Sequence, residues 1–132
     1  MAFGAPGGNR GLGITGSVLV SADQSVSRKP FFSTAGLLVR GLFAARPTDV
    51  GGLGVVFGRF SEELQDSQRR ARQVDATVGV QKHEIALELT YRFRIYGGAL
   101  FFQPDLQYII RPGGTGKIAD ALVAGFQAGI NF

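Results

Sequence analysis

The chain of 132 residues contains no cysteine, no tryptophan and a single histidine, His83. Without cysteine there is neither a disulfide nor a thiolate metal site, and that absence is compatible with any compartment. No other imidazole stands with His83, no motif fixes a serine beside it, and no cluster of metal-ligating residues occurs. Neither a metal nor another cofactor is expected. A run of the roughly 18 apolar residues that a membrane helix requires is also missing, although mean hydropathy is slightly apolar at +0.13. If the chain meets a membrane, it crosses with strands. Met1-Ala-Phe-Gly-Ala-Pro-Gly-Gly8 has no basic start and no apolar stretch, so it is not a signal peptide. A secreted barrel needs one, which makes a mature piece, an internal piece or a fragment the expectation. The formal charge of +4 would suit nucleic acid. The basic residues are scattered apart from Arg69-Arg70-Ala71-Arg72, however, and trace no phosphate-tracking stripe. Nucleic acid is not an expected partner.

Glycine and phenylalanine are abundant instead, at 20 and 11 residues, within a chain that is 45% hydrophobic. Glycine at about twice its usual share, without a collagen period, points to turn-rich β structure. The clearest sign lies at the end of the chain. Leu122, Ala124, Phe126, Ala128, Ile130 and Phe132 share one parity, and Gly125, Gln127, Gly129 and Asn131 share the other. A period of two belongs to a strand and not to a helix. Ending on an aromatic residue of the apolar parity suits the last strand of an outer-membrane barrel, with lipid on one face and a wet lumen on the other.

Upstream, strands are predicted near 12–21, 31–43, 52–60, 83–96 and 99–110, with the last near 121–132. Residues 22–29 form a loop, and Arg46-Pro-Thr-Asp49 forms a turn. The faces of 52–60 are ambiguous because Val55 and Val56 are both apolar. With Arg59 pointing inward, Gly54, Val56, Gly58 and Phe60 face outward. Residues 61–81 read as a solvated loop, with Ser61 able to cap one helical turn. Val74 to Val80 alternates enough to extend the next strand.

The segment 83–96 alternates most cleanly. Ile85, Leu87, Leu89, Tyr91, Phe93 and Ile95 oppose Glu84, Glu88, Thr90, Arg92 and Arg94. Gly97-Gly98 then signals a tight hairpin. Pairing Tyr96 with Ala99 sets Arg92 opposite Gln103, Thr90 opposite Asp105 and Glu88 opposite Gln107, and Phe93 meets Phe102 on the other face. A slip of one residue would mix the faces, so a single register is implied. Pro104 breaks the pattern, since it supplies no ladder donor. Connections alternate between long (22–30, 61–82, 111–120) and short (44–51, 97–98), as in barrels with long outer loops and short periplasmic turns. Phe43, Tyr96 and Phe132 would form one aromatic girdle, and Phe31, Phe32, Phe60 and Tyr108 the other.

The fold class is therefore all-β: an antiparallel, up-and-down transmembrane β-barrel segment of about six strands. Its polar face carries Glu84, Glu88, Arg92, Arg94, Gln103, Asp105, Gln107 and Gln127. As a pore wall, this mixture of acids, amides and arginines offers the paired donors and acceptors that sugar hydroxyls bond. An ion pore would segregate one sign. A soluble β-barrel or sandwich binding a small ligand alternates too, and partitioning into detergent distinguishes the two.

Glu88-Leu-Thr-Tyr91, Gln103-Pro-Asp-Leu-Gln-Tyr-Ile-Ile-Arg-Pro-Gly-Gly114, Ala121-Leu-Val and the terminal Phe132 resemble the C-terminal end of the carbohydrate-selective porins of the OprB type. Gly52-Leu-Gly-Val-Val-Phe-Gly-Arg-Phe-Ser61 resembles that family's preceding strand. The resemblance implies a sixteen-stranded barrel in the bacterial outer membrane that passes glucose and similar saccharides. It also implies that Phe132 is read by the barrel-assembly machinery. Six strands cannot enclose a pore, because aqueous channels need about sixteen. Partners are therefore expected to include saccharides, outer-membrane lipid, and the remaining barrel strands or other copies of the chain, a homotrimer among the arrangements.

Enzymatic readings fail on spacing. Glu84 and Glu88 stand about 13 Å apart along a strand, beyond the roughly 5–9.5 Å of a glycosidase pair. Gly113-Gly-Thr-Gly-Lys117 lacks the first glycine and the closing Ser or Thr of a phosphate loop.

Overall fold

A computed structural model describes residues 2–4, 10–21, 23 and 27–132, so the reading of the start and of loop 22–29 falls partly outside the described residues. One antiparallel sheet runs in strict chain order. Its strands are β1 (Ala2–Gly4), β2 (Gly11–Val20), β3 (Phe31–Arg40), β4 (Val50–Arg59), β5 (His83–Ile95), β6 (Leu100–Ile110) and β7 (Ala121–Ile130). The all-β up-and-down expectation is met, with the short β1 as an unforeseen addition pairing Phe3 with Leu12. The β5–β6 register is the expected one: Glu88 faces Gln107, Thr90 faces Asp105 and Phe93 faces Phe102.

Pro104 sits at a gap in the sheet. Tyr91–Pro104 and Arg92–Gln103 drop out of the β5–β6 ladder, which resumes on either side. Proline brings no N–H to that rung. Side chains bridge the gap instead. The Thr90 hydroxyl donates to the Pro104 carbonyl at 3.1 Å, the Gln103 amide to Thr90 Oγ1 at 3.0 Å, and Arg92 Nε to Gln103 Oε1 at 2.6 Å.

Three expectations are corrected. First, β4 pairs Leu53 with Leu89, Val55 with Leu87 and Phe57 with Ile85, and cross-strand partners share a face. Leu53, Val55, Phe57 and Arg59 therefore lie on the apolar face, while Gly52, Gly54, Val56 and Gly58 lie on the polar one. Second, residues 62–74 form a helix, α1 (Glu62–Val74), rather than a solvated loop. Ser61 Oγ accepts from Leu64 N at 3.3 Å, and Glu62 and Glu63 occupy the positive first turn. Residues 75–82 form no strand. Third, Phe60 is no exposed girdle residue: it is buried on the polar side under the backbone of Gly114, and Phe32 shares that side opposite Gly58.

The packing is one layer thick. Among the described residues, Phe60 and Val80 are the buried hydrophobic side chains, whereas Leu53, Leu89, Phe126 and Ile130 are 57–72% exposed. The accessible surface is 9004 Å², against about 6,700 Å² for a compact monomer of this mass. Both faces of the sheet are open, and no described residue covers the apolar one. Strands of 10 residues, rising about 3.3 Å per residue and tilted by roughly 40°, match an apolar band about 25 Å tall. No described helix is long and apolar enough to cross a membrane, which says nothing about strands that do so.

Candidate functional site: the polar face of the sheet

Alternation places the predicted site residues on one face because each lies an even number of residues from the next along its strand. Cross-strand pairing then sorts them into rows. One row runs Arg92, Gln103, Gln127; the next Thr90, Asp105, Gly125; the third Glu88, Gln107, Val123. Glycine on β7 gives the wall its shape. A Cβ on Gly125 would sit 2.9 Å from Asp105 Oδ1, and one on Gly129 would sit 2.5 Å from the Phe101 ring. Asp105 and Phe101 thus lie flat across β7. The Arg92 guanidinium in turn rests 4.5 Å above the centre of Phe101.

The eight predicted residues do not behave alike. Glu84 is held by a loop: Gly113 N donates to it at 2.5 Å, and Lys29 Nζ stands 3.7 Å away. Arg94 uses its backbone, whose N–H donates to Asp49 Oδ1 at 2.9 Å and whose carbonyl accepts from Arg46 Nη2 at 3.1 Å. Glu88, Asp105, Gln107 and Gln127 make no side-chain bond among the described residues, which leaves their polar atoms to water or solute. Phe132 follows β7 fully exposed.

The long connections meet at one end of the sheet and close over the polar face. Phe60 N bonds Lys82 O at 2.8 Å, and Lys82 N bonds Gly114 O at 2.8 Å. Gln68 and Gln81 pair at 2.8 Å, and Gln81 reaches Gly113 O at 2.8 Å. The 3-10 turn Pro112–Gly114 follows Arg111, whose φ of +54° is left-handed and unusual for a side chain with a Cβ. Asp120 braces that turn, accepting Arg111 N at 3.0 Å and the Tyr108 hydroxyl at 3.0 Å. The Arg111 N–H first, and the Tyr108 hydroxyl second, hold the Asp120 carboxyl below its ordinary range. His83 belongs to the apolar parity, opposite Arg59, and contacts Arg111 at 3.1 Å at this rim.

Two features escaped the alternation. A shallow hollow of about 220 Å³ on the polar face is lined by Thr15, Thr34, Gly36, Leu38, Gly54 and Glu88, among others. Thr90 of β5 lines it too, but the Thr15 and Thr34 hydroxyls come from β2 and β3, whose polar parity is modest. Asp49 is the second, and only 1% exposed. It accepts from the Arg46 guanidinium, Arg94 N and, at 3.3 Å, the Tyr91 hydroxyl. Burial by itself pushes its carboxyl upward, but the bonds from Arg46, Arg94 and Tyr91 outweigh this and hold it below the usual range. An aspartate after Pro-Thr reads locally as a turn residue, and nothing local shows that β5 folds back onto it.

A single-layer sheet with one greasy face and one face of charges and amides is a piece of barrel wall. The family model described as "Carbohydrate-selective porin, OprB family" matches residues 2–132. The chain belongs to this family. Porin B of Pseudomonas aeruginosa is 30% identical over 129 residues, covering 90% of this chain and 28% of that protein. Putative porin QuiX of Acinetobacter baylyi is 26% identical over 133 residues, covering 93% and 30%. The solved structure titled "High pH structure of Pseudomonas putida OprB" superposes with a TM-score of 0.83 at 30% identity, over 91% of this chain and 30% of that one. The OprB-family chain thus spans under a third of the length of the relatives it matches.

Proposed function

We propose that this chain forms part of the wall of an outer-membrane channel for passive, carbohydrate-selective diffusion of glucose and similar saccharides. The observation that carries the proposal is the pairing of faces: an uncovered apolar face of hydrocarbon height backs a face of unpaired acceptors and donors. A soluble sandwich would bury that apolar face against a second layer, and this chain has none among its described residues.

In this reading Glu88, Arg92, Arg94, Gln103, Asp105, Gln107 and Gln127 line the channel. Glu84 acts at the outer mouth, where it ties Pro112–Gly114 inward. Carboxylates and amides accept from sugar hydroxyls, and Arg92 and the Gln103 amide nitrogen donate to them. Because β7 presents an unpaired edge and lipid offers no hydrogen-bond partners, we propose that further strands close the barrel, either from a longer chain or from other copies. Phe132 would sit at the short-turn rim, placed for recognition by the barrel-assembly machinery.

The test is liposome swelling with the closed barrel that contains this chain. Arg92→Ala and Asp105→Ala should each change the rate of glucose entry. Unchanged entry in both variants refutes the wall assignment, and purified barrel that stays monomeric without detergent refutes the membrane reading.

A further inference from the structure

The charged residues of the polar face are layered along the strands. The row toward the short turns runs Arg40, Val50, Arg92, Gln103, Gln127. The next row outward carries Leu38, Gly52, Thr90 and Asp105, and the one after it Gly36, Gly54, Glu88 and Gln107. Successive rows are two residues apart, roughly 6.6 Å. Arginine and acid therefore occupy different depths.

The arginines in the first row lack acidic partners. Ion pairs among the described residues join Lys29 to Glu84, Arg46 to Asp49, Arg59 to Glu62 and Arg69 to Asp66. Arg40 and Arg92 belong to none of these. Both are exposed, and they flank Val50 on neighbouring strands, about 10 Å apart by strand spacing. Arg92 is pre-positioned, since Gln103 takes its Nε and the Phe101 ring supports its plane. Its terminal nitrogens remain available for a two-pronged bond.

Beside it lies a hollow of about 270 Å³ lined by Leu38, Val50, Gly52, Thr90, Arg92 and Gln103. Gly52 keeps it open. A Cβ there would come within 3.0 Å of Thr90 Cγ2 and 3.1 Å of Leu38 Cδ2. The floor is apolar and fits the C–H face of a sugar ring, while one wall holds a fixed guanidinium. A neutral hexose asks for donors and acceptors in balance. Two cations at one depth, neither of them in an ion pair, favour a carboxylate there, with Asp105 the acid one row outward.

We propose that this hollow is a subsite for anionic monosaccharides, aldonates and uronates, with the carboxylate on Arg92, the carbon skeleton over Leu38 and Val50, and Arg40 adding a second positive charge from the same row. The proposal rests on the channel reading above. It is tested by measuring gluconate, glucuronate and glucose entry into liposomes carrying the closed barrel, for wild type, Arg40→Gln and Arg40→Lys. The gluconate-to-glucose ratio should fall about tenfold in Arg40→Gln, the scale of one unit charge roughly 10 Å away beside a protein wall, and recover in Arg40→Lys. Gly52→Ala should lower gluconate and glucuronate entry together. Heat-modifiable gel migration confirms that each variant is folded. A ratio that stays within twofold of wild type in folded Arg40→Gln overturns the subsite while leaving the channel intact. Failure of wild type to pass glucose refutes the channel reading itself.

Discussion

Asp49 closes the turn between β3 and β4, and its removal should loosen three strands at once. Its carboxylate serves Arg46 from the turn, and the Arg94 N–H and Tyr91 hydroxyl from β5. Asp49→Ala leaves the Arg94 N–H without its acceptor and opens a void at a position only 1% exposed. Loss of a buried acceptor shared by several donors should cost about 2–4 kcal/mol. Asp49→Asn keeps one oxygen for Arg94 and loses the charge, so about 1–2 kcal/mol is expected. Urea unfolding of the closed barrel in lipid vesicles, followed by gel mobility, measures both. The pH dependence follows from the lowered carboxyl. A group whose folded pKa lies below its unfolded value of about 3.9 contributes fully above that value, and its contribution fades as pH falls through the folded one. The gap between wild type and Asp49→Asn should therefore stay flat from about pH 8 to 5 and shrink below about pH 4. An Asp49→Ala barrel within 0.5 kcal/mol of wild type, roughly the scatter of neutral surface changes, would refute the latch.

Leu89→Arg and Thr90→Arg test the assignment of faces, since they are adjacent in sequence and opposite in the sheet. Arginine at 89 should cost about 2–4 kcal/mol in lipid and depress assembly, while arginine at 90 should permit it; equal assembly yields would contradict the face assignment. Gly129→Ala pushes a methyl group into the Phe101 ring and should cost about 1–3 kcal/mol, with Arg92 losing its aromatic support. Wild-type unfolding midpoints for Gly129→Ala would show that Phe101 moves freely.

Much of the wall was legible in the residues. Alternation in 83–96 and 99–110 set both faces, and Gly97-Gly98 set the register, because a two-residue turn leaves no slack and a slip would put charge into lipid. The family likeness was legible in the same stretch. Other features depended on partners far away in sequence. Val55 and Val56 are equally apolar, so only pairing with Leu87 and Ala86 decided which one faces lipid. The helix at 62–74 carries mostly polar side chains, with too few apolar residues to form a stripe. It is fixed by Ser61 at its cap and by Gln68 bonding Gln81.

Glu84 shows the same divide within the candidate site. Its parity placed it on the polar face, but only the folded loop brought Gly113 onto its carboxylate. By itself the sequence determined periodicity, face and hairpin register, which are local because side chains alternate along one strand. The tertiary structure alone decided which polar groups remain free, because a hydrogen bond between residues 29 apart depends on where two loops meet.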